Sequence, residues 1–215
     1  MKQIKKIKKP DLPANLPLIE FQEINGQEEP SLGNGMVAGT CLDDEHVDHL
    51  VLSKVIFKNV SLINAQLYKI DMTDVIFENC NLSNASLQNG LVYRVSFKEC
   101  KLLGVDFSQA GLGNVSFENC QAGLCNFVDT AFKTVTFDHT SLKGANFADC
   151  KFKTPVFNAC DLDDVYFGEC PLKGIDISSC TYDRINVDLK HLAGCIVSPQ
   201  QAIGFARLLG LVIKP

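Results

Sequence analysis

The sequence lacks an apolar run long enough to cross a membrane, which takes about 20 consecutive apolar residues in a helix. Its first ten residues, MKQIKKIKKP, are basic, but prolines 10, 13 and 17 follow where a signal peptide would need its apolar segment. We therefore expect a cytoplasmic protein. The five lysines of this N-terminal arm could touch nucleic acid or membrane, but we favour a mobile solvated tail with neither as a partner.

The sequence also lacks the residue sets of a catalytic or metal site. It contains no glycine-rich phosphate loop, no paired catalytic carboxylates and no Ser-His-Asp combination. His46 and His49 lie near Cys41 at a spacing that metal ligands use, but no second Cys or His pair completes a zinc site. We therefore expect surface histidines, and a protein that is not an enzyme and binds neither metal nor cofactor.

What the sequence does contain is a pattern with a period of five residues. Every fifth residue from Leu52 to Ile177 is Leu, Phe, Met, Val or Ile, except for Ala122. Two positions earlier lies a second series of small or β-branched residues, and the other three positions are mostly polar. A period of five fits neither a helix nor a simple strand, so the chain must turn after each unit to bring its apolar residues together.

Four such units would form one coil of twenty residues, in which like residues stack on like. Phenylalanine recurs at this spacing in one column, at Phe57, Phe77, Phe97, Phe117, Phe137 and Phe157. The hexapeptides VIFENC, VSFKEC and VSFENC begin at Val75, Val95 and Val115, again twenty residues apart. The predicted core is therefore a set of continuous columns.

This pattern resembles the pentapeptide-repeat family, in which a small residue, a polar residue and Leu or Phe precede two more polar residues. CNLSN from Cys80, ANFAD from Ala145 and CDLDD from Cys160 match that unit. The resemblance implies an all-β fold, a right-handed quadrilateral parallel β-helix with a short C-terminal helix, whose coils rise by about 4.8 Å each. The expected domains are an arm and N-terminal cap over 1–39, the repeats over 40–197, and a C-terminal helix and strand over 198–215.

Ten cysteines are present, and the repeat predicts that they are free thiols. Cys80, Cys100 and Cys120 would stack with Cβ atoms about 4.8 Å apart and parallel. A disulfide needs Cβ atoms about 3.5–4.5 Å apart and inclined toward each other. We therefore expect small buried hydrophobic residues in a reducing compartment.

Both ends of a stacked rod need a cap, because each end exposes backbone groups and apolar residues. Residues 18–24, LIEFQEI, predict a short strand that caps the first coil. Ser198 has the position of a helix N-cap, and Gln201 would close a capping box with it. Gly210 would end this helix, and residues 211–213 predict a final short strand.

The C-terminal segment QAIGFARLLGLVI is also similar to that of the quinolone-resistance (Qnr-type) members of the family. The resemblance implies a homodimer that forms tail to tail through this segment. The residues expected at that contact are Ala202, Phe205, Leu209, Leu211 and Ile213. A helix that only plugs the last coil is the alternative.

Acidic residues are concentrated on the repeats. Residues 42–188 contain 20 acidic and 12 basic residues, a net charge of −8 against −5 for the whole chain. Two outward columns result from the stacking, Asp129, Asp149 and Glu169 in one and Glu78, Glu118 and Asp138, interrupted by Lys98, in the other. Carboxylates at regular intervals can imitate the phosphates of duplex DNA, whereas a solvated face that keeps the rod soluble is the alternative.

The Qnr-type resemblance implies a type II topoisomerase as the partner of this acidic surface. We therefore predict a DNA-mimicking protein that binds DNA gyrase or topoisomerase IV through these six acidic residues and protects it from quinolones or other gyrase poisons. The alternative is a rigid, non-enzymatic scaffold that presents a flat face to an unrelated protein. No direct contact with nucleic acid is expected in either case.

Overall fold

The computed structural model describes residues 7–153, 155–208 and 211–213. The chain forms a parallel β-solenoid of about eight coils followed by one short α-helix, so the predicted fold class is confirmed. The strands are β1 (Ser31–Ala38), β2 (Val51–Lys58), β3 (Asp71–Glu78), β4 (Leu91–Lys98), β5 (Gly111–Glu118), β6 (Ala131–Asp138), β7 (Lys151–Phe152), β8 (Pro155–Asn158), β9 (Tyr166–Gly168) and β10 (Asn186–Val187). The helices are α1 (Pro199–Leu208) and two 3₁₀ helices, Phe21–Ile24 and Leu189–His191.

Neighbouring coils pair in register at a spacing of twenty residues, as the sequence predicts. Phe57 lies opposite Phe77 where β2 pairs with β3, and the same register continues to β6. These strands form two adjacent sides of each coil, which we call the strand sides. Isolated bridges such as those made by Ser61 and Gln66 form the other two, the bridge sides. The ladder begins with β1, before residue 40, the expected start of the repeats.

The corners of the coils are residues in the left-handed backbone conformation, one in every five. Asn59, Asn64, Lys69 and Asp74 have φ values of 54°, 57°, 56° and 60°. Asn and Asp tolerate this conformation better than other residues that have a side chain, because their short polar groups bond locally. Four such corners per twenty residues give the coil its four sides.

The core consists of phenylalanine columns in van der Waals contact. Phe117 is fully buried between Phe97 and Phe137, with ring centroids 5.0 and 4.7 Å away and nearly parallel planes. Phe107 and Phe127 pack edge to face against Phe117, with ring centroids 6.0 and 6.4 Å away. Aromatic contacts therefore continue along the rod as parallel stacks and between its columns as edge-to-face pairs.

All ten cysteines are free, which confirms the prediction of unpaired thiols. Most are buried, and their thiols donate to carbonyl groups of the preceding coil, as Cys80 does to the carbonyl oxygen of Phe57 at 3.3 Å. Burial raises the pKa of the Cys125 thiol well above its ordinary value. These thiols therefore act as small core residues.

The predicted strand over residues 18–24 is wrong. Only Leu18 bridges to Met36, and a 3₁₀ helix follows, started by a capping box between Glu20 and Glu23. Phe21 and Ile24 are three residues apart, so this helix places both on one side, where they are buried against the first coil. The segment still caps the rod, as a helical turn.

The prediction of a mobile solvated arm is also wrong for residues 7–11. The backbone N–H of Asp11 donates to Oδ1 of Asp74 at 2.8 Å, and that of Lys8 donates to Oδ1 of Asn114 at 3.1 Å. These acceptors are two coils apart, about 9.6 Å, which is the length that three extended residues span. The arm is therefore an extended strap that runs along the rod.

One end of this strap is attached to a buried ion pair. Nε and Nη2 of Arg94 each lie 2.6 Å from a carboxylate oxygen of Asp74, whose side chain is only 4% exposed. Arg94 and the N–H of Asp11 lower the pKa of Asp74 below its ordinary value, against the opposing effect of burial. The carboxylate therefore stays charged and can hold the arm.

The C-terminal helix begins as predicted. Oγ of Ser198 accepts from the N–H of Gln201 at 3.2 Å, and Oε1 of Gln201 accepts from the N–H of Ser198 at 2.9 Å. Nε2 of Gln201 also donates to the carbonyl groups of Ile177 and Cys180, both at 2.9 Å, which fastens the helix to the rod.

The structure after the C-terminal helix differs from the prediction. Residues 211–213 form no strand, so that prediction is wrong, and Gly210, the expected end of the helix, lies outside the described residues. None of the helices in the described ranges is both long and apolar enough to cross a membrane.

Candidate partner-binding surface

The first acidic column lies at the corner where a bridge side meets a strand side. Asp129, Asp149 and Glu169 are all exposed, and each follows a buried phenylalanine of the column Phe127, Phe147 and Phe167 by two residues. The buried rings anchor the chain just before it turns outward. We call these three acidic residues the carboxylate column.

The three corners are not identical. Asp129 and Asp149 take the left-handed conformation with φ of 55° and 57°, but Gly168 takes it in the next coil, with φ of 53°. Glu169 therefore lies one residue after the left-handed position, in a turn of a different type. The column keeps its spacing in sequence while its third member has a different backbone geometry.

Cations compensate two members of the carboxylate column. Lys151 lies 3.6 Å from Asp129, and Glu169 contacts Lys190 and His191, both at 3.1 Å. The hydrogen bonds from Lys190 and His191 lower the pKa of Glu169. Asp149 makes no ion pair within the described part of the chain, so the negative potential is concentrated at the middle of the column.

The end of this column is the one place where the described residues group several metal-ligating side chains. Single ligand atoms of Glu169, Asp188 and His191 lie within 4.8 Å of one another. The ammonium group of Lys190 is 3.1 Å from Glu169 and 3.1 Å from Asp188. The carboxylates of the cluster therefore already have a cation of the protein as their partner.

The second predicted column contains both acidic and basic residues. The strand register stacks Lys58, Glu78, Lys98, Glu118, Asp138 and Asn158. Lys58 and Glu78 form an ion pair at 3.0 Å. Lys8 and Lys9 of the arm line a small cleft together with Lys98 and Glu118. Opposite charges thus lie next to one another along this column, and its potential is weaker than that of three carboxylates alone.

A basic column accompanies the acidic one and was missed in the sequence. Lys133, Lys153 and Lys173 are spaced by twenty residues and are exposed on the strand side next to the carboxylate column. None of them forms an ion pair with another described residue. Their spacing of twenty residues, the same as that of the acidic residues, is the signal in the sequence that predicts this column. We call these three residues the lysine column.

The predicted dimerisation residues differ in how exposed their side chains are. Ala202 is exposed, Phe205 is half-buried and packs against Tyr182 with ring centroids 6.1 Å apart, and Leu209 lies outside the described residues. Leu211 and Ile213 are 59% and 37% exposed. The segment therefore presents apolar surface, and its pairing with a second copy stays a prediction.

Residues 92–167 match the family model described as "Pentapeptide repeat region". The coil geometry of these residues continues without interruption toward the N-terminus, through β1 to β3. No curated protein matches the sequence.

Several solved structures are similar to this chain. One is a trypsin-treated variant of QnrB1, a plasmid-mediated fluoroquinolone resistance protein, with 17% identity and a TM-score of 0.36, covering 86% of this chain and 100% of that one. Another is HetL, a pentapeptide repeat protein involved in heterocyst differentiation regulation from the cyanobacterium Nostoc sp. strain PCC 7120, with 13% identity, a TM-score of 0.40 and coverage of 82% and 90%. A pentapeptide repeat protein from the Arabidopsis thaliana thylakoid lumen has 21% identity, a TM-score of 0.30 and coverage of 59% and 67%. Similarities of this size assign no function to this chain.

Proposed function

We propose that this chain, whose residues 92–167 match the pentapeptide-repeat family model, is an interaction scaffold whose carboxylate column binds a type II topoisomerase, DNA gyrase or topoisomerase IV, in the cytoplasm. The observation that carries the proposal is three exposed carboxylates on consecutive coils, with Asp149 at their centre and without an ion pair among the described residues. The similarity of the C-terminal segment to Qnr-type proteins supports the choice of partner.

The spacing of the column suits a surface that binds DNA. One carboxylate per coil corresponds to about 4.8 Å, while one strand of duplex DNA carries a phosphate about every 3.4 Å along the axis. The column therefore imitates a short stretch of one strand at somewhat lower charge density. Such a field speeds association with a basic surface and weakens as salt is added.

A supercoiling assay with purified DNA gyrase and relaxed plasmid tests the proposal, with and without a fluoroquinolone. The wild-type protein should inhibit supercoiling or restore it in the presence of the drug, and the effect should weaken with salt. The D129N/D149N/E169Q variant keeps the shape and removes the charge, so it should fold normally and lose the effect.

The second acidic column provides the matched control. The variant E78Q/E118Q/D138N removes the same number of charges from a column that already contains Lys58 and Lys98. Its effect should be smaller than that of the first variant. A wild-type protein without effect on gyrase at low salt and in molar excess would refute the proposed partner, and equal losses in both variants would refute the choice of column.

We also propose that two copies pair through the C-terminal segment. The apolar side chains there are exposed in the single chain, with Leu211 at 59% and Val212 at 90%. Apolar surface of this kind is buried favourably against a second copy. Such a dimer would join two rods and double the length of the acidic surface.

A scaffold for an unrelated partner is the second candidate function. The lysine column favours it, because a surface that imitates only DNA has no use for Lys133, Lys153 and Lys173 beside its carboxylates. A partner with an acidic strip next to a basic one would fit both columns. Failure of the gyrase assay would leave this function as the better one.

A further inference from the structure

Among the described residues, the β-ladder is interrupted between the coil that contains Lys151–Phe152 and Pro155–Asn158 and the coil that follows it. On both strand sides, the described residues of 151–158 form no backbone hydrogen bond with those of 171–178. The bridge sides of the same coils remain paired, since Asp161 bridges to Thr181. We call this gap the open seam.

A proline on the far side of the seam accounts for one of the missing hydrogen bonds. In the preceding coils the residue that matches position 171 donates its N–H to the coil before it, as Lys151 does to the carbonyl of Thr130 at 3.0 Å. Pro171 has no N–H to donate to Cys150. The hydrogen bond that would join the two coils at this position therefore cannot form.

Side chains replace the missing bonds at the two ends of the seam. The thiol of Cys170 lies 3.0 Å from the N–H of Cys150 and 3.4 Å from its carbonyl oxygen. At the other end, Oγ of Ser179 accepts from the N–H of Ala159 at 3.1 Å. Side chains thus form hydrogen bonds with the backbone groups at both ends of the seam, while the middle of the seam stays unpaired among the described residues.

Two backbone donors in the middle of the seam have no such replacement. By the register of the other coils, the N–H groups of Phe152 and Phe157 would donate to Pro171 and Asp176, as Leu162 donates to Thr181. Neither N–H forms a hydrogen bond with a described residue. An unpaired amide on a strand edge is a site where an extended peptide can add.

The walls of the seam indicate the side chains of such a peptide. A groove of about 540 Å³ lies there, within the size range of ligand sites, and its apolar lining includes Phe152, Val156 and Pro171. Lys153 and Lys173 also line it, one on each side of the gap. These two lysines form no ion pair with the described residues, and an acidic side chain between them would contact both.

The one carboxylate in this lining does not oppose such a ligand directly. Oδ1 of Asp176 accepts from the N–H and the hydroxyl of Ser178 at 2.9 and 2.6 Å. Its charge is therefore held by a local turn at the edge of the groove. Lys133, in the coil before the seam, adds a further positive charge on the same side of the rod.

We propose that the open seam is a docking site for an extended acidic peptide of a partner protein. The peptide adds to the free edge of β7 and β8, its carbonyl groups accept from the amides of Phe152 and Phe157, and an acidic side chain lies between Lys153 and Lys173. This site is separate from the carboxylate column and binds a partner segment of the opposite charge.

Hydrogen exchange of the full-length protein tests whether the seam is open. The amides of Phe152 and Phe157 should exchange faster than those of Phe132 and Phe137, their counterparts one coil earlier. Protection of all four amides would overturn the proposal. A second result would also overturn it. If the seam amides are protected in the full chain and lose that protection when residues 2–6 are deleted, the chain's own N-terminus fills the groove.

Peptide binding tests the ligand. Ac-Glu-Val-Glu-Val-Glu-NH2, added to ¹⁵N-labelled protein at low salt, should shift the amide resonances of Phe152 and Phe157. The matched peptide with Lys in place of Glu should not. The K153Q/K173Q variant should bind about tenfold more weakly, and the K69Q/K101Q control, changed on the bridge sides, should bind as the wild type does.

Three results of the binding experiment would contradict peptide docking at the seam. No shift with the acidic peptide, equal binding of the basic peptide, or unchanged binding by K153Q/K173Q would overturn it. The variant P171A gives a further check, because it restores the N–H that would donate to the carbonyl of Cys150. It should slow exchange at Phe152 and Phe157 and weaken peptide binding, and tighter binding in this variant would also contradict the proposed site.

Discussion

Replacing Phe117 by alanine should be among the most destabilising single changes in this protein. The ring is fully buried, and its loss removes roughly 150–250 Å² of apolar surface from the core. At about 25 cal/mol per Å² this corresponds to about 4 kcal/mol. The stacked contacts with Phe97 and Phe137 are lost as well, each worth about 0.5–1.5 kcal/mol. We expect a loss of about 5 kcal/mol, the upper end of measured Phe→Ala effects.

The cavity should stay open, because the coils above and below are fixed by the ladder and cannot move together. The measurement is denaturant unfolding followed by circular dichroism, with the slope of the transition compared between variants. Phe117→Leu should lose much less, since it fills most of the space.

Asn119→Ala, on the outer face, is the matched control. Asn119 is a corner residue with φ of 54°, so alanine there should cost about 1 kcal/mol. Equal losses for Phe117→Ala and Asn119→Ala would refute the assignment of inward and outward positions. A lower slope in the Phe117 variant alone would instead indicate that the coils no longer unfold together.

Three further predictions concern the arm, the thiols and the C-terminus. Arg94 holds the pKa of Asp74 below its ordinary 3.8, so the stabilisation is complete above that value and is lost as pH falls through the lowered pKa. In Asp74→Asn, the free energy of unfolding should therefore depend less on pH below about pH 4. The same variant should make residues 7–11 sensitive to protease at neutral pH. An arm that resists protease in this variant would contradict its attachment to Asp74. Thiol titration of the unfolded, unreduced protein should find all ten cysteines, and fewer would indicate disulfides. Deleting residues 199–213 should halve the mass measured by sedimentation, a result excluded if the intact protein is already monomeric at micromolar concentration.

The columns of the core were predictable from the sequence because their spacing does not depend on local conformation. Phe97, Phe117 and Phe137 could be placed above one another once the coil had twenty residues, and the thiols of the cysteine columns followed. The corners were predictable in part, since Asn59 and Asn64 belong to the residue types that favour positive φ, although Lys69 and Arg94 also occupy corners.

Other features could not be derived from the residue pattern. The arm is held by backbone amides of Lys8 and Asp11, and any residue except proline has such an amide. The partners that compensate Asp129 and Glu169 come from neighbouring columns, so the stacking of one column did not reveal them. The N-terminal cap was predicted as a strand because Phe21 and Ile24 lie in a short apolar segment that fits either structure.

The open seam also has a consequence for the way the rod unfolds. Each coil of a solenoid is stabilised mainly by its two neighbours, so cooperativity passes from coil to coil through their shared interface. Between the two coils at the seam, the backbone pairing of the described residues is confined to the bridge sides. The coils after the seam, with α1, are therefore coupled weakly to the rest and form a separate unit of local unfolding. Heating or pulling on the C-terminus should release this unit first and leave the coils from β1 to β6 intact.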